Sequence, residues 1–363
     1  MDNWVSFNFT NFTDGILWWN ETYTYFLPGE KEALSIRVIK IVAYCLLFLV
    51  SLFGNISVIL AVSRDNRLKS TTNILVANMA VSDIILTLLE IPKKISNIIR
   101  AHEKTWLVHG GLGQALCKLL PYLADVSFAI SLYSCIFIAI DRYYAVAHPF
   151  KGGFSRSRLK YIIPGIWLFT AVLCSPFLYS YKLVKIMDEL YCSEEWSNGD
   201  VATMFKIHLI LFIVLTTFLP ILFGTILYLL IVYKIRRYKV PGVCTEQSER
   251  TRRDRQNQNV LRMSVTIITL LSVCWLFFEI LNILETFTNV MNNLSPSVRQ
   301  TLLFISNFFL LTTCTHQFFL FLIFVDIYRQ NFKMMLKSCV CGWRRFVRIH
   351  PAQVDSTNST ELV

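Results

Sequence analysis

Charge is scarce in this chain. Asp, Glu, Lys and Arg make up 16% of its 363 residues, against about a quarter in a soluble domain. Hydrophobic residues make up 54%, with 28 Phe and 15 Tyr, more apolar surface than a globule of this size can hide from water. An ordinary soluble fold is thereby excluded. A cleavable leader is not expected either, because residues 1–30 are polar and aromatic and lack a basic stretch. Ten cysteines are too few for a disulfide-built scaffold in so long a chain. Most of them, Cys45, Cys135, Cys174, Cys274 and Cys314, sit in apolar runs and read as small hydrophobes. Neither an internal repeat nor a pair of broken helices is visible, which argues against a transporter or channel.

What is present is a series of long apolar runs. Crossing about 30 Å of hydrocarbon takes roughly 20 helical residues, and seven runs qualify: 38–63, 74–99, 114–147, 160–181, 206–233, 258–287 and 299–325. Lipid offers no hydrogen-bond partners, so each must be a helix. The expected fold is all-α: a seven-helix membrane bundle over 38–327, with a short amphipathic helix at 328–340. An N-terminal segment, 1–37, precedes it and a tail, 341–363, follows.

Two signals orient the bundle. Sequons at Asn8, Asn11 and Asn20 point to a glycosylated, extracellular N-terminus. Asn55 also heads a sequon, but inside the first span, out of reach of the modifying enzyme. With the N-terminus outside, most of the 35 Lys and Arg fall on the cytoplasmic side. They are Arg64, Arg67 and Lys69, then Lys151, Arg156, Arg158 and Lys160. Lys234 to Arg255 add eight more, and Arg329 to Arg348 six. This agrees with the positive-inside rule, so the net charge of +11 reports topology and no nucleic-acid partner is implied. Cys117 and Cys192 fall outside, where oxidation is permitted. Cys339 and Cys341, beside "WRRFVR", read as palmitoylation sites.

Each span carries a residue that lipid alone would not favour: Asn55 in "GNISVIL", Asp83 in "NMAVSDIILTLLEIP", Asp141-Arg142-Tyr143 ending the third, Trp167 in the fourth, Pro220 and Tyr228 in the fifth, Trp275 in "SVCWLFF". Intramembrane ionisable residues mark function by default. In order and spacing this set resembles the rhodopsin-like family of G-protein-coupled receptors, over about 38–340. The resemblance implies a non-enzymatic plasma-membrane receptor. In it Arg142 is latched by Asp141 at rest and released to a heterotrimeric G protein, with Tyr143 and Tyr228 beside the switch. It further implies a polar cluster of Asn55, Asp83, Ser131 and Gln317 that holds a sodium ion in many members. Trp275 becomes the toggle under the ligand pocket, and Cys117 pairs with Cys192.

Two departures stand out. "CWLF" puts Phe277, and "QFFLF" puts Phe318, where the family usually has proline. Proline kinks helices, so the sixth and seventh should be straighter and the sixth must swing about another hinge. Phe321 replaces the usual tyrosine.

The ligand is read from charge. Glu90, Asp125, Glu279 and Glu285 fall in the outer half, under an acidic loop, "DELYCSEEWSNGD". Such a mouth attracts a cation, and a spread of acids suits a basic peptide. An amine or other small cation is the second reading. The amine-binding aspartate is expected at Ala124, however, and Asp125 is turned away by roughly 100°. A receptor-like protein that binds without signalling is the third. Basic extensions over 234–257 suit the G protein or the lipid surface. Ser356, Thr357, Ser359 and Thr360 offer phosphorylation sites for arrestin, and the terminal Glu-Leu-Val a carboxylate for a PDZ domain.

Overall fold

The computed structural model describes residues 32–100, 106–147, 153–186, 189–194, 200–237, 247–288, 290–291, 293–334 and 337. The sequons at Asn8, Asn11 and Asn20, the cysteines Cys339 and Cys341, and the tail lie outside the described residues.

Seven helices long and apolar enough to cross a membrane follow one another. They are α1 (Leu34–Arg64), α2 (Thr71–Arg100), α3 (Gly110–Ala147), α4 (Arg156–Cys174), α5, α6 (Gln247–Phe287) and α7 (Pro296–Phe324). The fifth, α5, joins Asp200–Ile213, a π-helical stretch Val214–Phe218 and Leu219–Arg237. Each of the seven apolar runs is occupied by one of these helices, although the fourth, 160–181, is broken by a turn after Cys174 and ends in the first residue of a strand. Several extend past them because the flanking Lys, Arg, Gln and Glu are good helix formers. α4 stops at Cys174, since Pro176 has no N–H to donate back into it. No proline interrupts α6 or the interior of α7, whose Pro296 sits in its first turn. Of α3's most apolar stretch 67% is buried, against 22% of α4's, which makes α3 the central post and α4 an outer one.

The loop after α4 is not wholly irregular. Strands β1 (Tyr181–Ile186) and β2 (Glu189–Glu194) form an antiparallel hairpin with Leu183 opposite Cys192. Cys192 is disulfide-bonded to Cys117, with Cα atoms 5.6 Å apart. The Leu183 N–H donates to Gln114 Oε1 at 3.1 Å and the Trp106 N–H to the Leu190 carbonyl at 2.7 Å. The hairpin is thus fastened through both strands to the head of α3 and the segment just before it.

At the other end a short helix, α8 (326–334), turns away from α7. Val325 is extended and breaks the helical path. Arg329 donates to the Leu322 and Ile323 carbonyls, each at 3.0 Å, and caps the end of α7. Tyr328 is fully buried, with its hydroxyl 2.6 Å from that of Ser57, and Phe321 meets its ring edge-on at 5.3 Å. Gly54 exists for Phe318: a Cβ there would lie 2.7 Å from the Phe318 ring.

Between α1 and α2, Asp65 accepts from Arg67, from its N–H at 2.9 Å and its guanidinium at 2.8 Å. It also accepts from Asn331 of α8 at 2.9 Å. The Arg67 guanidinium first, then the Asn331 amide, holds this carboxyl well below the usual carboxylate range. A depressed carboxyl stabilises a fold above its unfolded pKa and stops doing so as pH falls toward its folded one. The melting-temperature gap between wild type and Asp65→Asn should therefore hold steady from neutral pH down to the ordinary value of 3.8 and close below it. A gap that shrinks already near neutrality would contradict this anchoring of α8.

Candidate functional site

Two ends of one bundle carry the candidate site. At the end bearing α8, Asp141 has no exposed surface. A buried carboxylate is costly unless several donors meet it, and four groups do. Arg142 reaches Oδ2 with Nε at 3.2 Å and also with Nη2. Thr71 and Thr72, in the first turn of α2, donate to the same oxygen at 3.0 and 3.2 Å. The Phe154 N–H donates to Oδ1 at 2.7 Å. The sequence-expected latch is therefore a hub that joins α2, α3 and the segment before α4. Arg142 is half-buried, and Asp141 is its only ion-pair partner among the described residues. Tyr143 packs against a cluster holding buried Tyr228, Ala139 and Ile231, with the Lys234 ammonium 5.5 Å over its ring. Arg142 and Tyr228 thus flank one α3–α5 seam.

Midway along, Asp83 is buried and accepts from Ser131 at 3.1 Å and from the Gln317 amide at 2.7 Å. Asn55 donates elsewhere, to the Cys314 carbonyl at 2.7 Å and the Ser51 carbonyl at 2.9 Å. So three of the four expected cluster members are linked directly, while Asn55 ties α1 to α7. Its Oδ1 and Gln317 Oε1 are buried without a hydrogen-bond donor. Asn78 connects the neighbouring helices, donating to Ser134 at 3.0 Å and accepting from the Trp167 indole at 2.9 Å.

Nearer the disulfide, Trp275 is buried on α6 and stacks on Phe128 of α3, centroids 3.7 Å apart. Its indole N–H donates to Thr217 in the π-helical stretch of α5.

The four acids expected to hold a ligand separate into kinds. Glu90 is paired with Lys93 at 3.0 Å, and Glu285 of α6 with Arg299 of α7 at 2.7 Å. Asp125 is half-buried on α3. Glu279 is 5% exposed, stands one turn from Trp275, and has no basic partner among the described residues. The one buried lysine or arginine among the described residues, Lys40 of α1, is paired with Glu32 and lies 5.0 Å over the Phe304 ring. The geometry singles out Glu279.

Sequence reasoning passed over Thr71, Thr72, Gly153, Phe128 and Thr217. The threonines lack an ion-pairing group, and a π-helical register leaves no periodic trace. Only Pro220 hinted at an irregularity in α5.

Residues 54–317 match the family model described as "7 transmembrane receptor (rhodopsin family)". The chain is similar to a QRFP-like peptide receptor of Branchiostoma floridae, 26% identical over 337 residues, covering 90% of this chain and 82% of that protein. It is also similar to neuropeptide Y receptor type 6 of Mus musculus, 27% identical over 343 residues, covering 89% and 86%. Against the Oryctolagus cuniculus protein of that name it is 28% identical over 278 residues, covering 73% and 71%.

A pair of glycines tests the Asp141 hub. A Cβ on Gly153 would lie 2.3 Å from Asp141 Oδ1, whereas one on Gly165 would meet nothing within 4 Å. Gly153→Ala should destabilise by about 1–3 kcal/mol, the usual cost of overpacking. Gly165→Ala, inside α4, should stabilise by roughly 0.5–1 kcal/mol. Thermal unfolding in detergent reads both, and equal effects would deny the hub its crowding.

Proposed function

The chain belongs to the rhodopsin family of seven-transmembrane receptors, and on that premise we propose that it receives a basic extracellular peptide and signals through a heterotrimeric G protein. It is a multi-pass membrane protein. We place it in the plasma membrane with the disulfide end outside, where cysteines oxidise, and with α8 and the basic extensions inside. The N-terminal end of α1 shares the outer side, in keeping with the sequons.

The observation that carries the reading is Glu279, a carboxylate enclosed beside Trp275 with no basic partner among the described residues. Leaving it charged there costs several kcal/mol, which a ligand's guanidinium or ammonium recovers. Two of the similar proteins above are named for peptide ligands, one as a peptide receptor and one as a neuropeptide receptor. Ligand binding then favours an arrangement of α6 in which Arg142 leaves Asp141, a population shift between two states. Asp141 keeps Thr71, Thr72 and the Phe154 N–H after Arg142 departs, so the release does not strand a bare buried charge. A sodium ion belongs to the resting state in this reading. Asp83 and Ser131, with the unpartnered side-chain oxygens of Asn55 and Gln317, would hold it.

Two variants in membranes test the reading. Arg142→Ala should abolish nucleotide exchange on the G protein and leave peptide binding intact. Glu279→Gln should weaken an Arg-bearing amidated peptide about ten- to a hundredfold while barely changing its uncharged analogue. Binding without exchange in the wild type defeats the coupling half, and equal losses for both peptides defeat the charge-matching half.

A further inference from the structure

At the level where α5 crosses α3 and α6, its backbone widens into π-helical register over Val214–Phe218, just before Pro220. In that register an N–H pairs with the carbonyl five residues back. Pro220 has no N–H, so the Leu215 carbonyl loses its donor. Tyr133 of α3 supplies one, its hydroxyl donating to Leu215 O at 2.9 Å. The same widening brings Thr216 and Thr217 inward, both buried. Thr216 commits its hydroxyl to the Phe212 carbonyl at 2.7 Å. Thr217 accepts the indole N–H of Trp275, while the face of that indole lies on Phe128, 22° from parallel. The contacts close a ring: Phe128 and Tyr133 on α3, the wide turn on α5, and Trp275 on α6.

We propose that Thr217 is a positioning residue for signalling: its hydroxyl, presented by the π-helical turn of α5, holds the Trp275 indole and thereby keeps α6 in the resting arrangement. The inference rests on the receptor reading above. Glu279 and Trp275 are four residues apart on α6, hence on one face, so a ligand that draws Glu279 also turns the indole. Phe277 leaves no proline hinge beside the tryptophan, and α6 must then move as a rod. The tether that a moving rod breaks is the bond to Thr217. Closing the wide turn to regular register would swing Thr217 by about 100°, away from the indole, so α5 and α6 change together.

The test uses the full chain in lipid nanodiscs with purified heterotrimeric G protein and no ligand. Thr217→Val and Thr217→Ser are each made alone and with Trp275→Phe. Exchange without ligand should rise about three- to tenfold in Thr217→Val, the weight of one hydrogen bond, and stay near wild type in Thr217→Ser. The valine effect should vanish beside Trp275→Phe. Emission of Trp275, isolated by subtracting the Trp275→Phe spectrum, should shift in Thr217→Val and not in Thr217→Ser. Unchanged exchange and emission in Thr217→Val overturn the proposal. A rise that persists without Trp275, or comes without an emission shift, reflects loosened packing and overturns it too. If no variant supports exchange and the emission still shifts, the coupling reading fails while Thr217's hold on Trp275 stands.

Discussion

A carboxylate sealed from water must be satisfied by the protein around it, and the inner end of this bundle is arranged around meeting that demand at Asp141. Two hydroxyls from the first turn of α2, a backbone amide ahead of α4 and the adjoining guanidinium all converge on it. Three of the four are fixed by the backbone or by short side chains. The fourth hangs on the long, bendable stem of Arg142. That asymmetry gives the site its character: the acid keeps three protein donors whichever way the arginine points. Had the arginine been the sole donor, moving it would expose a penalty of several kcal/mol, so the release proposed above depends on the other three.

The same economy of polar contacts recurs up the bundle. Lipid cannot pair with the buried polar groups, so they find partners on neighbouring helices: Asp83 with Ser131 and Gln317, Asn78 with Ser134 and Trp167, Ser57 with Tyr328. These links bind α1 to α4, α7 and α8 into one block through short, enclosed bonds. The contacts of α5 and α6 are mixed: the Tyr133 bond to the Leu215 carbonyl and the Glu285–Arg299 pair stand beside an aromatic stack, an indole bond and a cation over a ring. A frame of firm bonds beside a seam of mixed ones is what a part that slides against a fixed part requires.

Most of the architecture was legible in the residues. Hydropathy placed all seven helices, and the polar residues inside them marked the hub, the mid-bundle cluster and the tryptophan. Charge alone, however, made four acids look alike. Only packing separates Glu90 and Glu285, each beside a base, from Glu279, which has none among the described residues. Asn55 was expected at the Asp83 cluster but serves α7 through the Cys314 carbonyl, because its direction depends on how α1 rotates against its neighbour. The wide turn in α5 was invisible for a similar reason, since backbone register follows from where α3 and α6 press on it. Phe318, read as a lost kink, turns out to fill the space above Gly54, a size match between residues far apart in sequence.

The hairpin beyond α4 bears on the route proposed for a ligand. Tied to α3 by the disulfide and the Gln114 side chain, and to the segment before α3 by the Trp106 N–H, it is held as an eave and not a trapdoor. For the peptide proposed to reach Glu279, strands held in this way would be a fixed rim, and it would enter by an inserted tip with no flap folding behind it. Slow departure would then depend on how deeply the inserted tip is gripped.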